Sequence, residues 1–423
     1  MIDRRRFLGL GATGLASSLA ARYAERFAFA DAAARVPASS AKAKAVVVLW
    51  LNGGPSHLDT FDPKPGTPVG GPFKAIKTRA PSILLSEHLP QLAEKADKIA
   101  VVRSMSSKEG NHARAQYLLH TGYSPNPTVV HPSLGGWVCE QLGDPQSDIP
   151  TFVSIGGPSF GAGFLGVQNG PFVLQKAGEM PPNVEPPPQI DAARFDRRKA
   201  ALDFLEKRFA SQTGDAKVDG REAVYAKAVR MMRSPRIDVF DLGHESDATK
   251  KAYGDTDFGR GCLLARRLVE RGVKFTEVVL DGWDTHKDNF NRNAKQMGIL
   301  DPAFATLLGE LDQRKLLRST IVVCMGDFGR TPKINGNEGR DHHPQAWSAV
   351  LAGGGIRGGY VHGTTDADGD KVAGPATSVP DLMATLATLM GMDPTHSETT
   401  PAGRPIAITE DGVAVKALLA QPG

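Results

Sequence analysis

The stretch from Ser319 to Trp347, STIVVCMGDFGRTPKINGNEGRDHHPQAW, constrains the fold more than any other part of this chain. Its first half is an apolar, β-branched run that stops at Gly326, Asp327, Phe328, Gly329 and Arg330. Strands covered on both faces read as continuous apolar runs, and ligands of α/β sheets bind beyond the carboxyl ends of such strands. The pattern therefore predicts an α/β protein with Asp327 at the working edge of its sheet. The second half adds Asp341, His342 and His343 in a Gly/Asn-rich loop whose lack of apolar periodicity gives the histidines no packing role. Carboxylate and imidazole together are ligands for divalent metals. A hydrogen-bonded loop is the alternative for the same residues.

The same arrangement recurs. Ala45–Leu51 is an apolar run stopped by Asn52-Gly53-Gly54-Pro55, and the loop behind it holds Ser56, His57, Asp59, Thr60 and Asp62. Phe275–Leu280 ends in Asp281, Gly282, Trp283, Asp284, Thr285 and His286. A further strand, Ile99–Val102, leads to a helix expected to start near Asn111-His112 and to stop at Thr121-Gly122. His112 then occupies the first turn, where backbone N–H groups face an incoming anion. Strand ends of a parallel sheet share one edge, so Asp59/His57, His112, Asp284/His286 and Asp327 with His342 can converge although they lie far apart in sequence. Turn and capping roles compete most strongly for Asp62, less so for His57 and Asp59.

Residues 1–30 read as an address. Arg4, Arg5, Arg6, Phe7 and Leu8 match a twin-arginine export signal, and a weakly apolar Gly/Ala stretch follows, with small-residue cleavage sites at Ala28-Phe29-Ala30 and Ala30-Asp31-Ala32. The expected location is periplasmic or secreted, with the twin-arginine translocase as a partner during export and no stable membrane span in the mature chain. Removing five basic and two acidic residues with the signal lowers the formal net charge from +4 to +1, which gives no reason to expect a nucleic-acid partner. Cys139, Cys262 and Cys324 lack metal-knuckle spacing and read as small core residues. The domain plan is a signal over 1–30, a linker over 31–44 and one α/β domain over 45–423. Within it, a Gly/Pro-rich region and polar helices at about 152–250 form an insertion or cap.

GGPSHLDTFDPKP (Gly53–Pro65), GWDTH (Gly282–His286) and GDFGRTPKINGNEGRDHH (Gly326–His343), behind a twin-arginine leader, resemble the bacterial family called domain of unknown function 1501 over nearly the whole mature chain. That family is regarded as related to the alkaline phosphatase and sulfatase superfamily. The resemblance implies a three-layer sandwich with a mostly parallel sheet and a metal centre at its carboxyl edge. Tyr117-Leu118-Leu119-His120-Thr121-Gly122 is similar to the end of the sulfatase nucleophile helix, which brings His112 or Asn111 near the nucleophile position. Asp284, His286, Asp327 and His342 are similar to the superfamily's ligands. Two departures stand out: Phe328 takes the place of a second-metal histidine, and Asn52 that of a first-strand aspartate.

Two functions follow as expectations. One is an exported hydrolase of phosphate or sulfate esters. It would hold a divalent ion (Zn, Ca, Mg or Mn) on Asp284, His286, Asp327 and His342, with His57 and Asp59 as further ligand candidates. His112 would act as nucleophile or general base, and Arg330 and Lys333 would pair with the anionic ester oxygens. The other is a non-catalytic protein of the same fold that binds an anionic glycan or a protein partner at that edge.

Overall fold

β1, Ala45–Asn52, presents Val46, Val47, Val48, Leu49, Trp50 and Leu51, all buried. Side chains alternate across a strand, so this run feeds two cores. Val47, Leu49 and Leu51 pack in one with Leu264, Leu268, Leu300 and Phe304 of the helices Asp257–Glu270 and Asn289–Gln313. Val46, Val48 and Trp50 pack in the other with Leu118, Trp137 and Leu386 of the helices His112–Thr121, Leu134–Leu142 and Val379–Leu389. The result is helices on both faces of a sheet, the three-layer α/β arrangement expected from the sequence.

The computed structural model describes residues 42–182, 184, 189–213 and 217–420. The signal read over 1–30 lies outside these residues. All the described residues belong to one compact unit, Ala41–Gly423. Two short strands, β2 (Ala75–Lys77) and β3 (Leu84–Ser86), pair with each other. The central sheet then takes β4 (Ile99–Met105), β5 (Phe152–Ile155), β6 (Phe172–Leu174), β7 (Phe275–Asp281) and β8 (Thr320–Gly326). β9 (Gly329–Arg330) and β10 (His342–His343) form a small antiparallel ladder, and β11 (Trp347–Ala352) and β12 (Tyr360–His362) complete the sheet. Its order is β12-β4-β11-β8-β1-β7-β5-β6, and only β11 runs against the rest.

Register brings the strand ends level. Asn52 of β1 faces Asp281 of β7, and Leu51 faces Gly326 of β8, so the loops that follow leave from one edge. The helix beginning at His112 is capped by Asn111, whose side chain accepts from Arg114 N, and closes at Gly122 in the left-handed conformation (φ 75°).

Part of the expected cap is sheet instead. Phe152–Ile155 pairs with β7, and Phe172–Leu174 pairs with it in turn, because four successive buried residues (Phe152 to Ile155) outweigh the glycines and prolines around them. The polar helices Ala192–Thr213 and Lys217–Arg233 lie where the insertion was expected. The helix Asn289–Gln313 starts ahead of its apolar positions, since Asn289 and Asn293 are buried in hydrogen bonds that an apolar pattern does not register. The three cysteines are free and buried. No helix among the described residues is long and apolar enough to cross a membrane.

Candidate metal centre

Three chain segments leave the sheet edge side by side and touch through their backbones. Gly53 (φ +112°) carries no side chain because a Cβ there would lie 2.5 Å from Asp284 N. Arg330, wholly buried, ties the segments together. Its guanidinium donates to Gly54 O at 2.8 Å, Arg340 O at 3.2 Å, Asp284 Oδ1 at 2.6 Å and the carbonyl of Gly53. Burial alone would raise the Asp284 carboxyl; the Arg330 hydrogen bond and charge outweigh it and hold it down at about 2.

Three imidazoles converge on that carboxylate. Nε2 of His286 lies 3.2 Å from Asp284 Oδ1, and Nε2 of His112 and of His342 each lie 3.5 Å from the same oxygen. The other ring nitrogen of each is held by an acceptor: His112 Nδ1 by Asp327 Oδ2 at 2.6 Å, His286 Nδ1 by Asp341 Oδ1 at 2.7 Å and His342 Nδ1 by Gly110 O at 2.7 Å. A carboxylate or carbonyl can only accept, so each Nδ1 donates, and each imidazole in its neutral form turns the Nε2 lone pair inward. His112 Nε2 is buried without a hydrogen-bond partner, and His286 Nε2 and His342 Nε2 face each other at 2.9 Å. A set of inward-facing acceptors with an orphaned buried nitrogen is the arrangement a cation completes, and imidazoles braced at the far nitrogen are characteristic of metal ligands. The ligand atoms of His112, Asp284 and His342 all lie within 4.8 Å of one another. The residues present therefore fit a divalent ion.

The family model described as Protein of unknown function (DUF1501) matches residues 43–419. The chain belongs to the DUF1501 family. No curated protein matches it. Among solved structures, this DUF1501 protein is similar to the lipoteichoic acid synthase LtaP from Listeria monocytogenes, at 11% identity over 88% of this chain and 76% of that one (TM-score 0.38). It is also similar to the PsFucS1 sulfatase from Pseudoalteromonas sp., at 14% identity over 84% and 69% (TM-score 0.39). A third is the alkaline phosphatase from the Antarctic bacterium TAB5, at 14% identity over 76% and 95% (TM-score 0.32).

In the DUF1501 chain, the structure brings together His112, Asp284, His286, Asp327 and His342, with Arg330 bonded to Asp284 behind them, and leaves His57, Asp59 and Lys333 elsewhere. His57 is buried with Nε2 on Gly369 O at 2.8 Å, and desolvation lowers its pKa to about 4. Asp59 is enclosed by Arg340 (Nε at 2.9 Å) and Asn289 (Nδ2 at 2.8 Å). The loop carrying both turns into the protein, with Asp62 N bonded back to His57 O, instead of opening on the edge. Arg330, expected to grip an ester, has its donors committed to carbonyls and Asp284. Lys333 lies in the exposed loop between β9 and β10, its carbonyl accepting from Thr331 Oγ1.

One further expectation changes. Asp327 is fully buried and accepts from His112, from Gln116 Nε2 at 3.2 Å and from Gly53 N at 3.5 Å, so it orients His112 rather than facing the opening. A helix N-terminus by itself would depress the pKa of His112; the Asp327 hydrogen bond instead raises it, because a carboxylate in direct contact outweighs a partial charge on the helix end. Asp341, Gln116 and the Gly110 carbonyl carry roles that sequence reasoning did not assign. Gln116 was findable, since it stands four residues after His112 on the same helix face.

Proposed function

We propose that this protein is an exported, metal-dependent hydrolase of phosphate or sulfate esters, working in the periplasm or outside the cell. The observation that carries the reading is the convergence of three braced imidazole Nε2 atoms on Asp284 Oδ1. His112, His286, His342 and Asp284 would hold the ion, and an imidazole-rich set favours a transition ion over calcium or magnesium. A divalent ion bound there supplies Lewis-acid polarisation of an ester oxygen.

The chain's own residues supply the rest. Asp327, Asp341 and Gly110 fix the tautomers of the three histidines, so the ligands need no rearrangement to act. Arg330 keeps Asp284 ionised and holds it against the Gly53–Gly54 turn. Phe328 lies with its ring 4.9 Å from that of His112 and 4.6 Å from that of His342, an apolar wall that limits water on one side. The other side is open: the side chains of Asp284 and His286 are 46% and 45% exposed. Such a shelf admits a bulky substrate, for instance an esterified glycan.

A second reading, a binding protein for an anionic glycan or a protein partner at this edge, is favoured by the commitment of Arg330 to internal acceptors, which removes it from substrate recognition. Metal analysis of purified protein, with turnover of aryl phosphate and aryl sulfate esters before and after chelation, separates the two. One ion per chain and chelator-sensitive turnover are expected. Metal without turnover favours the binding protein, and a chain that takes up no metal under any loading condition refutes both the centre and the hydrolase.

A further inference from the structure

Behind His112 runs a chain of amides whose orientation is fixed from one end. Trp50 can only donate through its indole N–H, and that group points at Asn52 Oδ1 from 3.3 Å. The Asn52 oxygen is therefore turned inward, and its Nδ2 donates to Asp281 Oδ1 at 2.6 Å. Gln116 Nε2 lies 2.8 Å from the same Asn52 oxygen, so the amide's NH2 end faces this side and its second hydrogen meets Asp327 Oδ2 at 3.2 Å. The backbone of Gln116 is held as well, its carbonyl accepting from His120 Nδ1 at 2.7 Å.

The tautomer of His112 depends on what it meets at Nδ1. An imidazole with its hydrogen on Nε2 could donate to Asp284 Oδ1, only 3.5 Å away, and would place a proton where a cation must sit. What excludes that tautomer is Asp327 presented as an acceptor at Nδ1, in one rotation. Gly53 N and Gln116 Nε2 hold its two oxygens in that rotation.

We propose that Trp50, Asn52 and Gln116 form an amide relay that orients Asp327 and thereby locks His112 with its Nε2 lone pair facing the ion site. Gln116 is then a positioning residue for metal capture, without touching metal or substrate. The inference rests on the metal-centre reading above, and its test separates the two.

The experiment is titration of cobalt(II) into metal-stripped full-length protein, followed by equilibrium dialysis and by the visible d–d absorption of bound cobalt. Gln116→Met keeps the length of the side chain and removes its donors. It is expected to weaken cobalt binding, by less than the roughly 10–100-fold cost of losing a direct outer partner of a ligand because Gln116 acts through Asp327, and to change the d–d band of the cobalt that still binds. A purely structural role for Gln116 would lower the melting temperature and leave that band unchanged. Trp50→Phe keeps the ring against His120 and deletes only the N–H that orders the relay; its shift should be in the same direction and smaller. Parent-like affinity and band in Gln116→Met overturn the relay. Should that variant fail to fold, the same parent-like result in Trp50→Phe overturns it. A parent protein that takes up no cobalt removes the metal centre itself, and the relay with it.

Discussion

Arg340→Met tests whether Asp59 is structural. Arg340 and Asp59 are both wholly buried and meet through two contacts, Nε–Oδ2 at 2.9 Å and Nη2–Oδ1 at 3.2 Å. The same guanidinium donates to the carbonyls of Thr331, Pro332 and Val69 at 3.0, 2.6 and 2.7 Å. Methionine fills much of the volume and satisfies none of these acceptors, leaving Asp59 with the Asn289 amide alone. Breaking one side of a buried pair costs about 3–5 kcal/mol, because a charge is stranded. With an unfolding entropy of ~2.1 cal/mol/K per residue, a folded unit of roughly 380 residues loses about 4–6 °C in Tm for that cost. Asp59→Leu added to Arg340→Met removes the stranded charge and should recover most of the loss, since apolar replacement of both partners is often neutral. Thermal melts followed by circular dichroism, with metal analysis of each variant, measure both quantities. A loss below about 1 °C for Arg340→Met, or a double variant no more stable than the single one, refutes the structural role. Loss of metal from the double variant returns Asp59 to the ligand set.

His342→Ala and Asp284→Asn should lower metal content and melting temperature together, whereas Cys324→Ala, in the core, should leave metal content at the parent level; metal analysis checks all three. His112→Gln should lower metal content and ester hydrolysis together, read by metal analysis and by initial rates. Burial opposes charging of His120, but Glu277 at 3.1 Å wins and its pKa stands above the ordinary 6.5. The stability this pair contributes is therefore fully present below pH 6.5 and is lost as pH rises through the folded value, so the urea midpoint should fall over that range in the parent and lose that fall in Glu277→Gln, where burial of the imidazole is no longer offset. Replacing Arg4 and Arg5 by lysine should stop export, and fractionation that still finds this variant outside the cytoplasm removes the twin-arginine reading.

The strands that build the edge were legible because burial on both faces leaves a continuous apolar signature, as in Ala45–Asn52 and Thr320–Gly326, and a nearly continuous one, broken by Thr276 and Glu277, in Phe275–Asp281. Asp284, His286, Asp327, His342 and His112 could be singled out because each follows such a strand or opens a helix. Their division of labour could not be read the same way. Whether Asp327 faces the opening or the back of His112 depends on Gln116 and Gly53, whose positions are set by tertiary packing. Arg330 and Arg340 look alike in sequence, as two arginines of one polar, Gly-rich stretch. Only the fold shows that both are enclosed and spent on internal acceptors. β5 and β6 escaped notice because short strands flanked by Gly157, Pro158, Gly170 and Pro171 carry no period long enough to register.

The loops of the edge are interlocked backbone against backbone. A Cβ on Gly339 would lie 1.9 Å from His286 O, and Arg340 N donates to Thr285 O, Asn289 N to Glu338 O and Trp283 N to Asn52 O. Loops ordinarily open first and exchange their amide hydrogens fast. Here no loop can lift without breaking bonds made by another, so the amides of Trp283, Asn289 and Arg340 should exchange together, as slowly as those of the central strands. A surface open to substrate would then sit on the most reluctant opening unit of the molecule, and the centre would keep its shape without a lid.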